Sequence, residues 1–352
     1  MGICISTESS AIHEAPEEAR DENVIVFEAN KVLSGLSSVY SKQGSKGLNQ
    51  DAATFCEGFG MEETAFCGVF DGHGRNGHTV SRIVSSRLSS LILNQKNGHV
   101  KIEGDAMEKG DDHILNHVDT VEDYSSSNKN FQEWKEAILS AFRVMDKEVK
   151  LQENLDCSCS GTTAVVIIRQ GEDLVIANLG DSRAVLATIS EGEIIPIQLT
   201  TDMKLGLPCE ADRITSSNGR VFALRGEPHI QRVWLPNENT PGLAMTRAFG
   251  DFMLKDHGVI AIPDISHRIL TSSDQFIVLA SDGVWDVLSN SEVSSIVWAA
   301  GTEKDAARAV VEAATSAWKQ KYPSSKVDDC TVVCLFLQKK QEHLVSVKSR
   351  NP

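Results

Sequence analysis

Three apolar runs in this chain each end or begin on a carboxylate. Phe66-Cys67-Gly68-Val69-Phe70 runs into Asp71, Phe276-Ile277-Val278-Leu279-Ala280-Ser281 runs into Asp282, and Asp328 leads into residues 331–337. Short apolar runs of this kind predict buried strands, and a buried strand gains nothing from an unpaired carboxylate at its tip. A hard divalent cation explains the repetition, because it takes oxygen ligands held by rigid backbone. The fold must therefore bring several strand ends to one point.

Composition narrows the function classes. A chain of 352 residues with 41% hydrophobic content can bury one large core, and no long linker divides it. The formal net charge of −15 excludes the basic footprint of a nucleic-acid binder, so a charged substrate has to be attracted by a local positive site. No stretch approaches the roughly eighteen apolar residues of a spanning helix, and the first residues lack the pattern of a secretory signal, so the expected location is cytoplasmic. The eight cysteines are irregularly spaced and read as free, mostly buried thiols. Cys330 and Cys334 fall on one face of a strand, where packing is preferred to metal binding.

Along the chain, residues 1–30 read as a flexible acidic tail, residues 31–338 as one catalytic domain, and residues 339–352 as a second flexible tail. Alternation over residues 32–40 predicts a first strand. Val80, Ile83, Val84, Leu88, Leu91 and Ile92 recur at helical spacing, as do Phe131, Trp134, Ile138, Phe142, Met145 and Val149. Residues 94–130 between them are polar and read as a surface insertion. Residues 164–168 and 174–178 flank Gln170-Gly171-Glu172-Asp173 as a hairpin, with a further strand over 183–188. Helices are predicted over 291–300 and 305–319, before a last strand over 330–337. Blocks of strands alternating with paired helices predict an α+β layered sandwich of antiparallel sheets.

The chemistry concentrates at Asp71-Gly72-His73-Gly74, where glycines allow a tight turn that brings a carboxylate, a carbonyl and an imidazole together. Alone, this tetrapeptide is as readily a bland turn. It has company: Asn49-Gln50-Asp51 before an apolar run, Gly180-Asp181-Ser182-Arg183 between two strands, Ser281-Asp282-Gly283-Val284-Trp285-Asp286, and Asp328-Asp329-Cys330-Thr331. With Ser160-Gly161-Thr162-Thr163 and Met245-Thr246-Arg247-Ala248-Phe249-Gly250-Asp251, these segments resemble, in the same order, the metal-dependent protein phosphatases of type 2C, the PPM family. Gly47-Leu48-Asn49-Gln50-Asp51 and Val233-Trp234-Leu235-Pro236 are similar to a plant subgroup called clade E.

The resemblance implies a central β-sandwich of two antiparallel sheets flanked by α-helices, with two Mg²⁺ or Mn²⁺ ions per subunit and a weaker third. It implies that Asp71 bridges both ions, that the Gly72 carbonyl and Asp51 hold one side, and that Asp282 and Asp328 hold the other. Asp181, Asp282 and Asp286 would meet the third ion. The implied activity is hydrolysis of phosphoserine and phosphothreonine on proteins by metal-activated water, without a phosphoenzyme, as a negative regulator of kinase signalling in plants. His73 becomes the candidate general acid, or alternatively a group that orients water. Lys46 stands where the family commonly has a phosphate-gripping arginine, and so keeps the charge but loses the fork. Gln50 replaces a glutamate, and Met203 and Leu205 depart from the usual Asp-His-Lys-Pro segment.

Trp234 lies in the region corresponding to the family's flap, as a partner contact or a core residue, while Trp285 reads as a structural wedge. Met1-Gly2-Ile3-Cys4-Ile5-Ser6 fits myristoylation at Gly2 with palmitoylation at Cys4, which would put the protein on the cytosolic face of the plasma membrane, with room for a nuclear pool. An unmodified tail is the alternative. The expected partners are phosphorylated proteins, not nucleic acid, and the expected state is a monomer. The competing function is a catalytically weak type-2C fold acting as a membrane-tethered binding protein, favoured only by Lys46 and Gln50.

Overall fold

Continuous apolar runs, instead of alternating ones, follow from sheets that are covered on both faces. A computed structural model describes residues 24–27, 37–107 and 122–338. One sheet carries, in spatial order, β1 (Val24–Phe27), β3 (Asp51–Glu57), β4 (Thr64–His73), β6 (Ala164–Gln170), β7 (Asp173–Leu179) and β14 (Asp264–Ile269). Two short strands, β5 (Gly161–Thr162) and β13 (Phe249–Gly250), extend the tip of β4. The other sheet is ordered β2 (Ser37–Lys42), β16 (Cys330–Phe336), β15 (Asp274–Ala280), β8 (Arg183–Ser190) and β9 (Glu193–Gln198).

Side-chain parity fixes the layers. Phe55, Cys67, Val69, Val165 and Ile167 of the first sheet meet Leu186, Ile277, Leu279, Val333 and Leu335 of the second in the space between the sheets. Their neighbours one step along, such as Phe66, Phe70, Val166 and Ile168, face out onto α1 (Gly77–Met107) and α2 (Glu122–Lys150) through Val84, Leu88, Ile138, Phe142 and Met145. On the far side, Phe276, Val278, Val332 and Cys334 pack against α6 (Asn290–Ala299) and α7 (Ala306–Lys321). Each such large side chain contributes about 1.5–3 kcal/mol by leaving water. The two outer helices start as their sequence instructs: Ser289 and Glu292 form a reciprocal capping box on α6.

The α+β sandwich expected from the sequence is therefore present, with differences in detail. The first sheet is not purely antiparallel, because β1 runs parallel to β3. That strand also falls inside the stretch read as a tail, and the strand expected over 32–40 is found at Ser37–Lys42, residues 28–36 lying outside the described ones. The supposed insertion at 94–130 is largely helix: α1 continues to Met107 and α2 begins at Glu122, residues 108–121 being outside the described ones. Polar composition hid these turns, which offer too few apolar residues for a helical period to register. The hairpin, the strand after it, the helices near 291 and 305 and the last strand all lie within two residues of their expected bounds at most ends. Cys330 and Cys334 are both buried on the helix-covered face.

A smaller unit, in the region corresponding to the family's flap, sits beside the sandwich; its elements were not read from the sequence. It combines α3 (Pro208–Ser216) with an antiparallel sheet of β10 (Arg220–Ala223), β11 (Gln231–Trp234) and β12 (Pro241–Leu243). Leu205, Ile214, Val233, Leu243, Met245 and Leu254 give it its own apolar centre. No described helix is long and apolar enough to cross a membrane.

Candidate metal centre

The strand tips converge as the sequence required. Asp51 opens β3 and pairs in register with Asp71 near the end of β4, so two carboxylates stand side by side on adjacent strands. From the other sheet, Asp282 follows the end of β15 as the first residue of α5 (Asp282–Trp285), and Asp328 stands two residues before β16. Ser281 ties the sheets together: its hydroxyl donates to Asp51 Oδ2 at 2.7 Å and accepts from the Thr331 amide at 3.1 Å. Thr163 braces Asp71 from both sides, its Oγ1 accepting from the Asp71 amide at 3.0 Å and its own amide donating to the Asp71 carbonyl at 2.9 Å. Gly72 is required by space: a Cβ there would lie 2.5 Å from the carbonyl oxygens of Gln50 and Gly77.

The carboxylates repel one another. Burial, then the charges of Asp282, Asp51 and Asp328, push the Asp71 carboxyl well above the usual range. Burial, followed by Asp181, Asp286 and Asp328, does the same to Asp282. Burial lifts Asp51 to about 7 against the pull of its Ser281 hydrogen bond. Such a set calls for positive charge, and its all-oxygen chemistry fits a hard divalent ion. Among the described residues no three His, Cys, Asp or Glu side chains form a closed ligand set. The positive charge in contact with them comes from two lysines: Lys46 on Asp328, and Lys204 at 3.2 Å from Asp181 and 3.8 Å from Asp286. For each lysine burial opposes the charge, and the facing aspartates outweigh it and raise the pKa.

His73 leaves β4 beside this cluster with its Nε2 2.6 Å from Asp251 Oδ2. Burial works against its positive charge, but the field and hydrogen bond of Asp251 prevail and hold it above the ordinary histidine value. Asp251, buried and in the left-handed region at φ 50°, donates its amide to the Ser160 carbonyl at 3.0 Å. Gly161 makes room for the pair, since a Cβ there would come within 2.4 Å of Asp251 Oδ2 and 2.8 Å of His73 Nε2.

A family model described as Protein phosphatase 2C matches residues 101–322, well over half of the sequence. The chain belongs to the protein phosphatase 2C family. It is 50% identical over 352 residues to "Probable protein phosphatase 2C 72" of Arabidopsis thaliana, covering 97% of this chain and 99% of that one. It is 47% identical to "Probable protein phosphatase 2C 12" of Oryza sativa subsp. japonica, covering 96% and 92%. Among solved structures, a serine-threonine phosphatase 2C from Toxoplasma gondii matches with a TM-score of 0.70 and 25% identity, over 85% of this chain and 94% of that one. A C. elegans sex determining protein shares the fold at a TM-score of 0.64 and 22% identity, over 87% of this chain and 65% of that one.

In this protein phosphatase 2C the departures from the family's wording have visible work. Gln50 donates its side-chain amide to the Gly74 carbonyl at 2.9 Å, clamping the turn that carries His73, which a glutamate has no proton to do. Met203 and Leu205 are both buried, Leu205 within the apolar centre of the flanking unit, so both serve as anchors. Trp234 is also core: it stacks on Phe222 at 4.7 Å and donates to its carbonyl at 3.0 Å. Trp285 acts as the expected wedge, buried and bonded to the Ala280 carbonyl at 2.9 Å. Gly2 and Cys4 lie outside the described residues.

Several working residues had been quoted within motifs and given no role. Asp251 and Ser281 are two. Asp329 is a third, its two oxygens accepting from the Gly44 amide at 2.7 Å and the Gln50 amide at 2.9 Å, which fixes the Lys46 loop against β16. Glu210 was missed outright. Buried in α3, it accepts bidentate hydrogen bonds from both Arg213 and Arg247 and another from Thr246, pinning the flanking unit to the segment that leads to Asp251. The available signal was a glutamate two residues after Pro208, in the first turn of a helix that the proline could start.

Proposed function

We propose that this protein hydrolyses phosphoserine and phosphothreonine monoesters on proteins, in a reaction dependent on Mg²⁺ or Mn²⁺. The observation that carries the reading is the meeting of Asp51, Asp71, Asp282 and Asp328 from the tips of both sheets. In this reading Asp71 would be shared between two ions, with Asp51 and the Gly72 carbonyl helping to hold one side and Asp282 with Asp328 the other. Divalent ions held by these residues would supply a polarised water nucleophile and charge for the phosphoryl oxygens. Lys46, half exposed at the mouth, exchanges Asp328 for a phosphate oxygen, positioning it as a point charge without the fork of an arginine. His73, held by Asp251, supplies a proton toward the departing serine or threonine oxygen.

The test is hydrolysis of a phosphothreonine peptide by the full-length protein in Mn²⁺, in Mg²⁺ and in EDTA, with Asp71→Asn and Asp282→Asn as controls. Turnover that needs metal and disappears in both variants supports the reading. No turnover by folded protein in millimolar Mn²⁺ sinks it, leaving the binding-protein alternative. The wider assignment adds negative regulation of kinase signalling in a plant cell, which would follow from phosphatase activity, and the clade E subgroup, for which the support is the plant relatives and the motif wording. Acylation of Gly2 and Cys4, with location at the cytosolic membrane face, is supported by the first six residues and is tested by metabolic labelling of the wild type and of Gly2→Ala.

A further inference from the structure

Lys204 has a place that the reaction above does not use. Its Nζ lies 3.2 Å from Asp181 Oδ2 and 3.8 Å from Asp286 Oδ1, bridging the β8 start to the end of α5. Asp181 is buried, and its Oδ1 has no hydrogen-bond partner among the described residues. The backbone that presents Lys204 is held tightly: the Met203 amide donates to the Gly180 carbonyl at 2.9 Å, and the Met203 carbonyl accepts from the Thr246 amide at 2.8 Å and hydroxyl at 2.9 Å. Met203 and Leu205, on either side, are sunk into apolar surroundings. The lysine side chain itself is 40% exposed, so its head can leave the carboxylates while its backbone stays fixed.

The geometry points to Lys204 as a tethered cation that competes with a divalent ion for Asp181 and Asp286. This inference rests on the phosphatase reading, in which these two residues and Asp282 form the weakest of the ion positions. An ammonium and a divalent ion cannot share the same oxygens, so binding the ion requires the lysine head to swing into solvent. The weak position is then weak by construction: it competes with a covalently attached, always available rival. The tether also joins this position to the flanking unit through Leu205, so ion entry there loosens one contact between that unit and the sandwich.

The experiment counts ions and does not rely on turnover. Mn²⁺ binding to full-length wild type, Lys204→Met, Lys204→Gln and Lys204→Arg is measured by calorimetry and by the electron paramagnetic resonance signal of free Mn²⁺. Removing a competing unit charge that stands within 4 Å of both carboxylates predicts that the weakest class tightens by about tenfold in both neutral variants. The arginine variant is expected to keep the wild-type constant, and adding Asp181→Asn to Lys204→Met is expected to abolish the gain. A weak class no tighter in either neutral variant than in wild type overturns the inference. Tight classes that survive such a result leave the phosphatase reading intact, whereas a wild type that binds no Mn²⁺ overturns both.

Discussion

Asp251 shows how much a single side chain outside the ion cluster can control. By accepting from Nε2 it fixes the ring of His73 in one orientation and leaves Nδ1 buried without a partner among the described residues. Asp251→Asn is therefore expected to lower kcat by about ten- to a hundredfold with little change in KM, and to be non-additive with His73→Gln; steady-state kinetics of the two singles and the double check this. Gln50→Glu makes a second test at this scale. It loses the donor to Gly74 and adds a charge beside Asp71, so the metal-free protein should lose about 1–3 kcal/mol while Mn²⁺ affinity rises. Denaturant melts in EDTA and a Mn²⁺ titration separate the two effects. At this scale the sequence was informative about the carboxylates, since nothing else explains acids on apolar strand ends. It was silent on Asp251, Ser281 and Glu210, whose partners lie 178, 230 and 37 residues away in sequence.

Among the elements, α3 has the most conditional attachment. Its anchor, Glu210, is buried, and burial alone would raise its pKa; the hydrogen bonds of Arg213 and Arg247 prevail and hold it well below the ordinary value of 4.5. A depressed carboxyl contributes stability that is complete above its unfolded value and is lost as pH falls below about 4.5 toward the folded one. The flanking unit is thus expected to loosen in acid before the sandwich does. Tryptophan fluorescence, with Trp234 reporting on that unit, should show an early acid transition that Glu210→Gln abolishes, the unit being loosened already at neutral pH. The elements of the sandwich were legible because their apolar positions follow simple periods. The sheet of β10, β11 and β12 was not: its strands are three or four residues long, too short for a period to register, and depend on Trp234 and Phe222 stacking across the turn. The helical ends of α1 and α2 escaped for the opposite reason, being long but polar.

On the scale of the whole molecule, the carboxylates proposed to hold one ion set come from the ends of two different sheets. The Ser281 hydroxyl donates to Asp51 across the two sheets, and the apolar layer of Phe55, Ile167, Ile277 and Val333 holds the sheets apart and together. The thickness of that layer works as a calliper, and the gap between its jaws is the distance across which the ions must be gripped. A methylene removed far inside the sandwich therefore changes the setting of the instrument. Ile277→Val, which touches no ligand, should cost about 0.5–1.5 kcal/mol of stability and also shift Mn²⁺ affinity, whereas Val310→Ala in the outer helix layer should cost stability alone. Paired melting curves and Mn²⁺ titrations of the two variants would read that difference, which is expected if core packing tunes metal affinity.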